Sequence, residues 1–293
     1  MRKVFHSIPA KSFVTKYNFI RLTHDYTRRV NRMNKKQAIR KPVIQAAIII
    51  GIFYAIEIAM VYLNLFPDNN VLLMVDIALR IVMGIVALVL LQPSRELFTN
   101  RITPRMWLMM LPFFIYVALP LVKIYFADVY VPENIPLMVI PVAQQFAVGF
   151  FEEAYSRGLF MKGLLKFNTS TTKQRLVTCA VTGAFFGLTH LPNILFGENP
   201  LIQVPSCAAW GFFIGAVYLM TENLPLVMVL HAVSDITPRI YRGLFGCTMD
   251  LPAIRVIEVL NEVFNYVVLP IVAVYICFKY VWLRENVKKN RSN

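Results

Sequence analysis

Charge is scarce in this sequence. Only 16% of its 293 residues are Asp, Glu, Lys or Arg, against roughly a quarter in an ordinary soluble domain, while 57% are hydrophobic. A soluble globular enzyme is excluded by that balance. Cysteine is also sparse: Cys179, Cys207, Cys247 and Cys277 lie singly in or beside apolar stretches with no CxxC spacing, which excludes a disulfide framework or a cysteine zinc site and leaves small core residues. There are four histidines, His6, His24, His190 and His231, and no HExxH. The first forty residues contain no short apolar run of the kind a cleavable signal peptide needs, so no such peptide is expected. Repeats of fixed period and low-complexity tracts are absent too.

What the chain has instead is long apolar runs. Eight are read, at 43–65, 71–92, 106–126, 136–161, 176–196, 206–221, 224–241 and 258–282. Several reach the ~20 residues that a helix needs to cross a hydrocarbon layer of ~30 Å, where the backbone must satisfy its own hydrogen bonds. The expected fold is therefore an all-α polytopic membrane protein of about eight transmembrane helices. Its parts are a basic juxtamembrane arm at 1–42, a membrane domain at 43–283 and a basic tail at 284–293.

The formal charge of +14 is local in origin. Residues 1–42 hold twelve of the thirty Lys and Arg and one acid, Asp25. Basic residues ahead of a first span mark the cytoplasmic side and attract anionic lipid headgroups. The arm carries no recognisable nucleic-acid reading module, so that class of partner is excluded. Phe13–Ile20 mixes apolar and basic residues and suits an amphipathic helix on the membrane surface, although a solvated topogenic arm is the simpler reading and is preferred. With the N-terminus inside, loops carrying Arg95, Arg101 and Arg105, then Lys166, Lys173 and Arg175, fall inside with the tail. The loops at 67–70, 127–136 and 197–205 fall outside and carry acids without Lys or Arg. Arg239, Arg242 and Arg255 dissent, which leaves open a re-entrant seventh segment.

Polar residues inside such segments are costly and tend to face the bundle interior. The fourth segment contains Glu152, Glu153 and Arg157 within a turn and a half. Glu153 and Arg157 are four apart on one face and can pair, whereas Glu152 is turned away by about 100°. Two adjacent carboxylates repel, so the unpaired one is the easier to protonate and suits a general base. Glu152 is thus the candidate for proton transfer, with Glu153 and Arg157 supporting it. His190 ends the fifth segment, four after Phe186, and His231 in the seventh is followed four later by Asp235. Counted at 1.5 Å per residue from the cytoplasmic loop that holds Lys166 and Arg175, Glu152 and His190 lie within about one residue of each other in depth, while His231, seven residues past Leu224, falls roughly 10 Å nearer the cytoplasm. Glu57, Asp76 and Arg80 are the other charges well within spans, and they read as one ion pair in interhelical packing.

These three motifs, Glu152-Glu153-x-x-x-Arg157, Phe186-x-x-x-His190 and His231-x-x-x-Asp235, occur in order on successive apolar segments. The set resembles the CPBP family, which joins type II CAAX prenyl endopeptidases with bacteriocin-processing and self-immunity (Abi) proteins. The likeness covers about 136–240. It implies a metal-independent glutamic intramembrane protease without cofactor, whose cavity opens to the cytoplasm and the bilayer. Glu152 would activate water with His190, and His231 with position 235 would stabilise the oxyanion. CAAX endopeptidases of the family have Asn where this chain has Asp235, whose carboxylate can instead orient His231. That departure weakens the inference of a prenylated substrate more than the inference of peptidase chemistry.

The expected substrate is a membrane-associated peptide or protein, and the expected location a bacterial inner membrane with both termini cytoplasmic. Two other readings use the same residues. One is a zinc site built on the histidines and carboxylates, and the other is a non-catalytic immunity or regulatory protein acting through a membrane protein partner.

Overall fold

The computed structural model describes residues 40–165, 170–246 and 251–289. The basic arm, with His6, His24 and Phe13–Ile20, lies outside the described residues, as does Cys247. Helix dominates the rest. The long helices are α1 (Arg40–Tyr62), α2 (Asn69–Leu91), α3 (Pro104–Val122), α4 (Val139–Glu153), α5 (Thr172–Leu188), α6 (Pro200–Thr221), α7 (Leu224–Leu244), α8 (Pro252–Val263) and α9 (Leu269–Lys289). Helix α4 runs on as a π-helix over Ala154–Met161 and then as α-helix over Lys162–Leu165, and a π-helical turn at Phe264–Val268 joins α8 to α9.

Six of the described helices are long and apolar enough to cross a membrane, rather than the eight expected. The two that fall short are α4 with its extension, which carries Glu152, Glu153 and Arg157, and α7, which carries His231, Asp235, Arg239 and Arg242. The same polar residues that form the candidate site lower the hydropathy of the helices that hold them. A polytopic helical membrane protein follows from the six.

Several boundaries also differ from expectation, for local reasons. Helix α6 begins at Pro200, six residues earlier than read, because Asn199 caps it and Pro at the first position suits a helix start. The interior Pro205 had hidden that first turn. Helix α7 is continuous over 21 residues, so no re-entrant turn interrupts it. Helices α5 and α2 are likewise capped by side chains, Thr171 with Gln174 in a reciprocal box and Asp68 on two backbone N–H groups.

Helix α6 is the central element, with 61% of its apolar window buried against 17–33% for the other five. Small residues let its neighbours approach. A Cβ on Gly183 would stand 2.7 Å from the Ala208 carbonyl oxygen, and one on Gly149 of α4 would stand 2.6 Å from the Met228 oxygen of α7. Close crossings of this kind are how membrane helices gain packing energy without a hydrophobic driving force. Outward residues such as Val89, Leu108, Ile271 and Phe278 are exposed and apolar, as a lipid-facing surface requires.

The two ends of the bundle are tied separately. At one end, Asn100 donates to the Glu222 oxygen (3.0 Å) and Asn223 donates to the Asn100 oxygen (2.9 Å), with Arg284 paired to Glu222. At the other, strand β1 (Val129–Tyr130) pairs antiparallel with β2 (Phe245–Gly246), and Asn134 donates to the Gly243 oxygen. Cys179 and Cys277 are buried free thiols in hydrogen-bond contact, their Sγ atoms 3.9 Å apart, a pairing of α5 with α9 that the sequence reading treated as two separate residues.

Candidate active site

The π-helix begins directly after Glu153, and single π turns of this kind are frequent at functional sites. Ser156 Oγ donates to the Glu152 carbonyl within it. Glu153 and Arg157 are fully buried and paired, Nη1 to Oε1, at 2.8 Å. Arg157 also donates to Ser156 Oγ at 2.9 Å and to the Gly211 carbonyl at 3.0 Å, so α4 is locked to α6. A buried guanidinium without such partners would be strongly destabilising.

The second binding partner of Glu153 is His231. The Nδ1 of His231 lies 2.8 Å from Glu153 Oε1, whereas Asp235 Oδ2 is 3.6 Å from Nε2. The carboxylate that orients His231 is therefore Glu153, not Asp235 as the sequence reading offered. The 10 Å offset in depth also disappears. Leu224, where α7 starts, is fully buried and level with Gly158 rather than with the end of the fourth segment, so His231 rises to the height of Glu152.

Glu152 points elsewhere. Its Oε2 faces the Nε2 atoms of both histidines, at 3.7 Å from His190 and 3.8 Å from His231, and carries no hydrogen bond. Its Oε1 lies 3.7 Å from Arg80 Nη1. Arg80 joins Glu57 and Asp76 as expected of an ion pair between helices, and the cluster extends further, to Glu152 and Gln144. The guanidinium binds Asp76 at 2.9 Å and Glu57 at 3.3 Å, and Gln144 donates to Asp76 at 2.7 Å. Helices α1, α2 and α4 thus converge on the site through one guanidinium.

Phe186 explains its own motif. Its carbonyl accepts from His190 Nδ1 at 2.8 Å, and a carbonyl can only accept, so Nδ1 carries a proton and Nε2 is the atom turned toward Glu152. Its ring lies against Arg157 (4.6 Å), His190 (4.8 Å) and His231 (5.7 Å). Trp210 covers the other side of His231 at 4.5 Å between ring centroids. Glu152, His190, His231 and Asp235 all line one cavity of about 230 Å³. Its wall also includes Phe186, Val148, Ser234, Tyr116, Gln203, Ser206, Cys207, Trp210 and Asn265, of which only Phe186, in its motif, and Cys207, as a core residue, had stood out in the sequence. Among the described residues, no group of three or more His, Cys, Asp or Glu has metal-ligand geometry.

A bundle of long apolar helices around a buried glutamate, two imidazoles and an internal cavity defines a polytopic membrane protein with an intramembrane polar site. Residues 134–237, about a third of the chain, match the family model described as type II CAAX prenyl endopeptidase Rce1-like, in agreement with the family that the three motifs resemble. No curated protein and no solved structure matches the chain.

Proposed function

We propose that this protein is a metal-independent glutamic intramembrane endopeptidase that hydrolyses a peptide bond in a membrane-associated peptide or protein. The observation that carries the reading is the division of labour between adjacent carboxylates. Glu153 is fully buried with Oε1 bound to both Arg157 and His231, while Glu152 stands at the cavity wall with Oε2 3.7 and 3.8 Å from the Nε2 atoms of the two histidines; each carboxylate keeps its Oε2 without a hydrogen bond, and only that of Glu152 faces both imidazoles at the cavity.

In the proposed reaction, Glu152 takes a proton from water as the water oxygen attacks the scissile carbonyl carbon, with His190 Nε2 orienting that water. The carbonyl oxygen becomes an oxyanion, and His231 Nε2 donates to it when the ring carries both protons. Glu152 then passes its proton to the leaving amine as the C–N bond breaks. Glu153, Arg157 and Phe186 hold His231 and His190 in place. Asp235 lies at the cavity beside His231, where its carboxylate cannot donate as an amide would, so a prenylated CAAX substrate is not part of the proposal. The reading includes eight crossings, with α4 and α7 as spans, and both termini on the cytoplasmic face of a bacterial inner membrane.

The test compares membrane-peptide termini by mass spectrometry in host cells that lack the protein and are complemented with wild type, Glu152→Ala or His190→Ala at matched expression. A new terminus present with wild type and lost with both variants supports hydrolysis and names the substrate. Unchanged termini with a restored host phenotype would point to a non-catalytic regulatory or immunity protein.

A further inference from the structure

Buried polar groups in folded proteins are nearly always hydrogen-bonded, so an unpaired one on a residue of a cavity wall raises the question of what pairs with it. Three residues that line the cavity carry a buried side-chain atom with no hydrogen bond among the described residues: Glu152 at Oε2, Trp210 at Nε1 and Asn265 at Oδ1. The first belongs to the proposed base. The other two are an indole N–H, which can only donate, and a carboxamide oxygen, which can only accept, and the reaction as described uses neither.

The contacts that hold both residues leave these atoms over. The Trp210 ring lies against His231 at 4.5 Å, Phe186 at 5.6 Å and the Arg157 guanidinium at 5.6 Å, so the ring is fixed while its one polar group is unmatched. Asn265 uses its amide nitrogen on Ser206, 2.8 Å from Oγ and 3.3 Å from the carbonyl oxygen, which leaves Oδ1 as the free end of the carboxamide. Asn265 is also the one buried residue of the π-helical turn Phe264–Val268, and such turns are frequent at functional sites. Ser206 and Trp210 are four apart on α6, about one turn of ~5.4 Å along the same face. One helix therefore positions the donor directly and the acceptor through Ser206.

A free N–H and a free carbonyl oxygen so placed complement the C=O and N–H of one residue in an extended peptide, which point to the same side of the chain. A carboxylate or phosphate would offer nothing to Asn265, an ammonium nothing to Trp210, and an acyl chain nothing to either. We propose that Trp210 and Asn265 form a clamp for the peptide backbone of the substrate, the indole donating to a carbonyl oxygen and the carboxamide oxygen accepting an N–H. Such a clamp reads no side chain and holds an extended segment beside Glu152 whatever its sequence. It rests on the peptidase reading for the word substrate, whereas holding a peptide group requires no turnover.

The experiment is a nuclear magnetic resonance titration of the full chain carrying Glu152→Gln, in detergent, with isotope-labelled indole nitrogens. The chain has three tryptophans, Trp107, Trp210 and Trp282, and the Trp210 signal is identified by its loss in Trp210→Phe. The probe is N-acetyl-leucine N-methylamide, compared with the diester of the same skeleton that has oxygen in place of both N–H groups. The expected result is a saturable downfield movement of the Trp210 indole proton with the amide, while the Trp107 and Trp282 signals stay in place. The diester should bind about ten-fold more weakly or worse, since it leaves the Asn265 oxygen unpaired. With Asn265→Leu added, amide and diester should bind alike, and the comparison at native Asn265 stands even where that variant fails to fold. A Trp210 signal that does not move would overturn the clamp, as would equal binding of amide and diester with Asn265 present. Failure of the peptidase reading appears instead as unchanged membrane-peptide termini in cells, and a saturable shift alongside that result would still support the clamp.

Discussion

His231 Nδ1 and Glu153 Oε1 lie 2.8 Å apart, and the same carboxylate oxygen is 2.8 Å from Arg157. One buried oxygen therefore fixes both the imidazole that faces the cavity and the guanidinium that ties α4 to α6. Glu152, its neighbour in sequence, takes part in neither bond and instead faces the Nε2 atoms of His190 and His231, which separates a structural carboxylate from the one proposed to react.

That separation is measurable in stability. Glu153→Ala leaves the Arg157 guanidinium buried without its carboxylate, and breaking a buried pair from one side costs about 3–5 kcal/mol. Thermal unfolding in detergent should show this loss, and Arg157→Ala should show a similar one. Glu152→Gln removes no hydrogen bond from the fold and should unfold within a degree or two of wild type.

His231→Ala removes the proposed oxyanion donor, and loss of one such donor typically lowers the rate by about 10²–10³. The effect should fall on kcat rather than on KM in a reconstituted cleavage assay. His190→Ala should depress the same parameter through the attacking water, with the protein still folded.

Arg80 is predicted to be a positioning residue. It holds Glu57 and Asp76 and stands 3.7 Å from Glu152, so Arg80→Ala should lower kcat by about ten-fold or more and leave KM little changed, a cost of ~1.4 kcal/mol or more in transition-state energy. Arg80→Lys restores a charge but not the forked geometry, and should recover part of the rate. Equal loss of folded protein and of rate in both variants would make Arg80 merely structural.

Much of this centre was legible in the sequence because its signals are local. Glu153 and Arg157 at i, i+4 define one helix face, and Glu152 one residue away must point off that face. The two histidines stood out as the only ones in apolar segments. Arg80, Trp210, Gln203 and Asn265 were not legible, since their roles depend on which helices pack against α4 and α7, and that is set by tertiary contacts such as Gly149 against Met228. Arg80 was read with Glu57 and Asp76 as one ion pair between helices, which its contacts bear out, and what the sequence did not show is that the same guanidinium also reaches Glu152. The depth estimate failed because the turn before α7, Glu222 and Asn223, is held by Asn100 and Arg284, so that α7 starts at a level set by those contacts rather than by its hydropathy.

A chelator offers an independent check on the chemistry. Nδ1 of His190 faces the Phe186 carbonyl and Nδ1 of His231 faces Glu153, which turns both Nε2 atoms toward Glu152, an arrangement shared by water-orienting and metal-ligating histidines. The glutamate mechanism predicts an unchanged cleavage rate after prolonged treatment with a strong chelator, and no gain on adding zinc. Loss on chelation with rescue by zinc would favour metal-activated water.

The most direct test of the central claim is the cleavage rate of Glu152→Gln in proteoliposomes, measured with the melting temperature of the same preparation. The account predicts wild-type melting with cleavage at background, because the substitution keeps the shape of the side chain and removes only its capacity to accept the proton. A Glu152→Gln protein that still cleaves at more than about a tenth of the wild-type rate would contradict it.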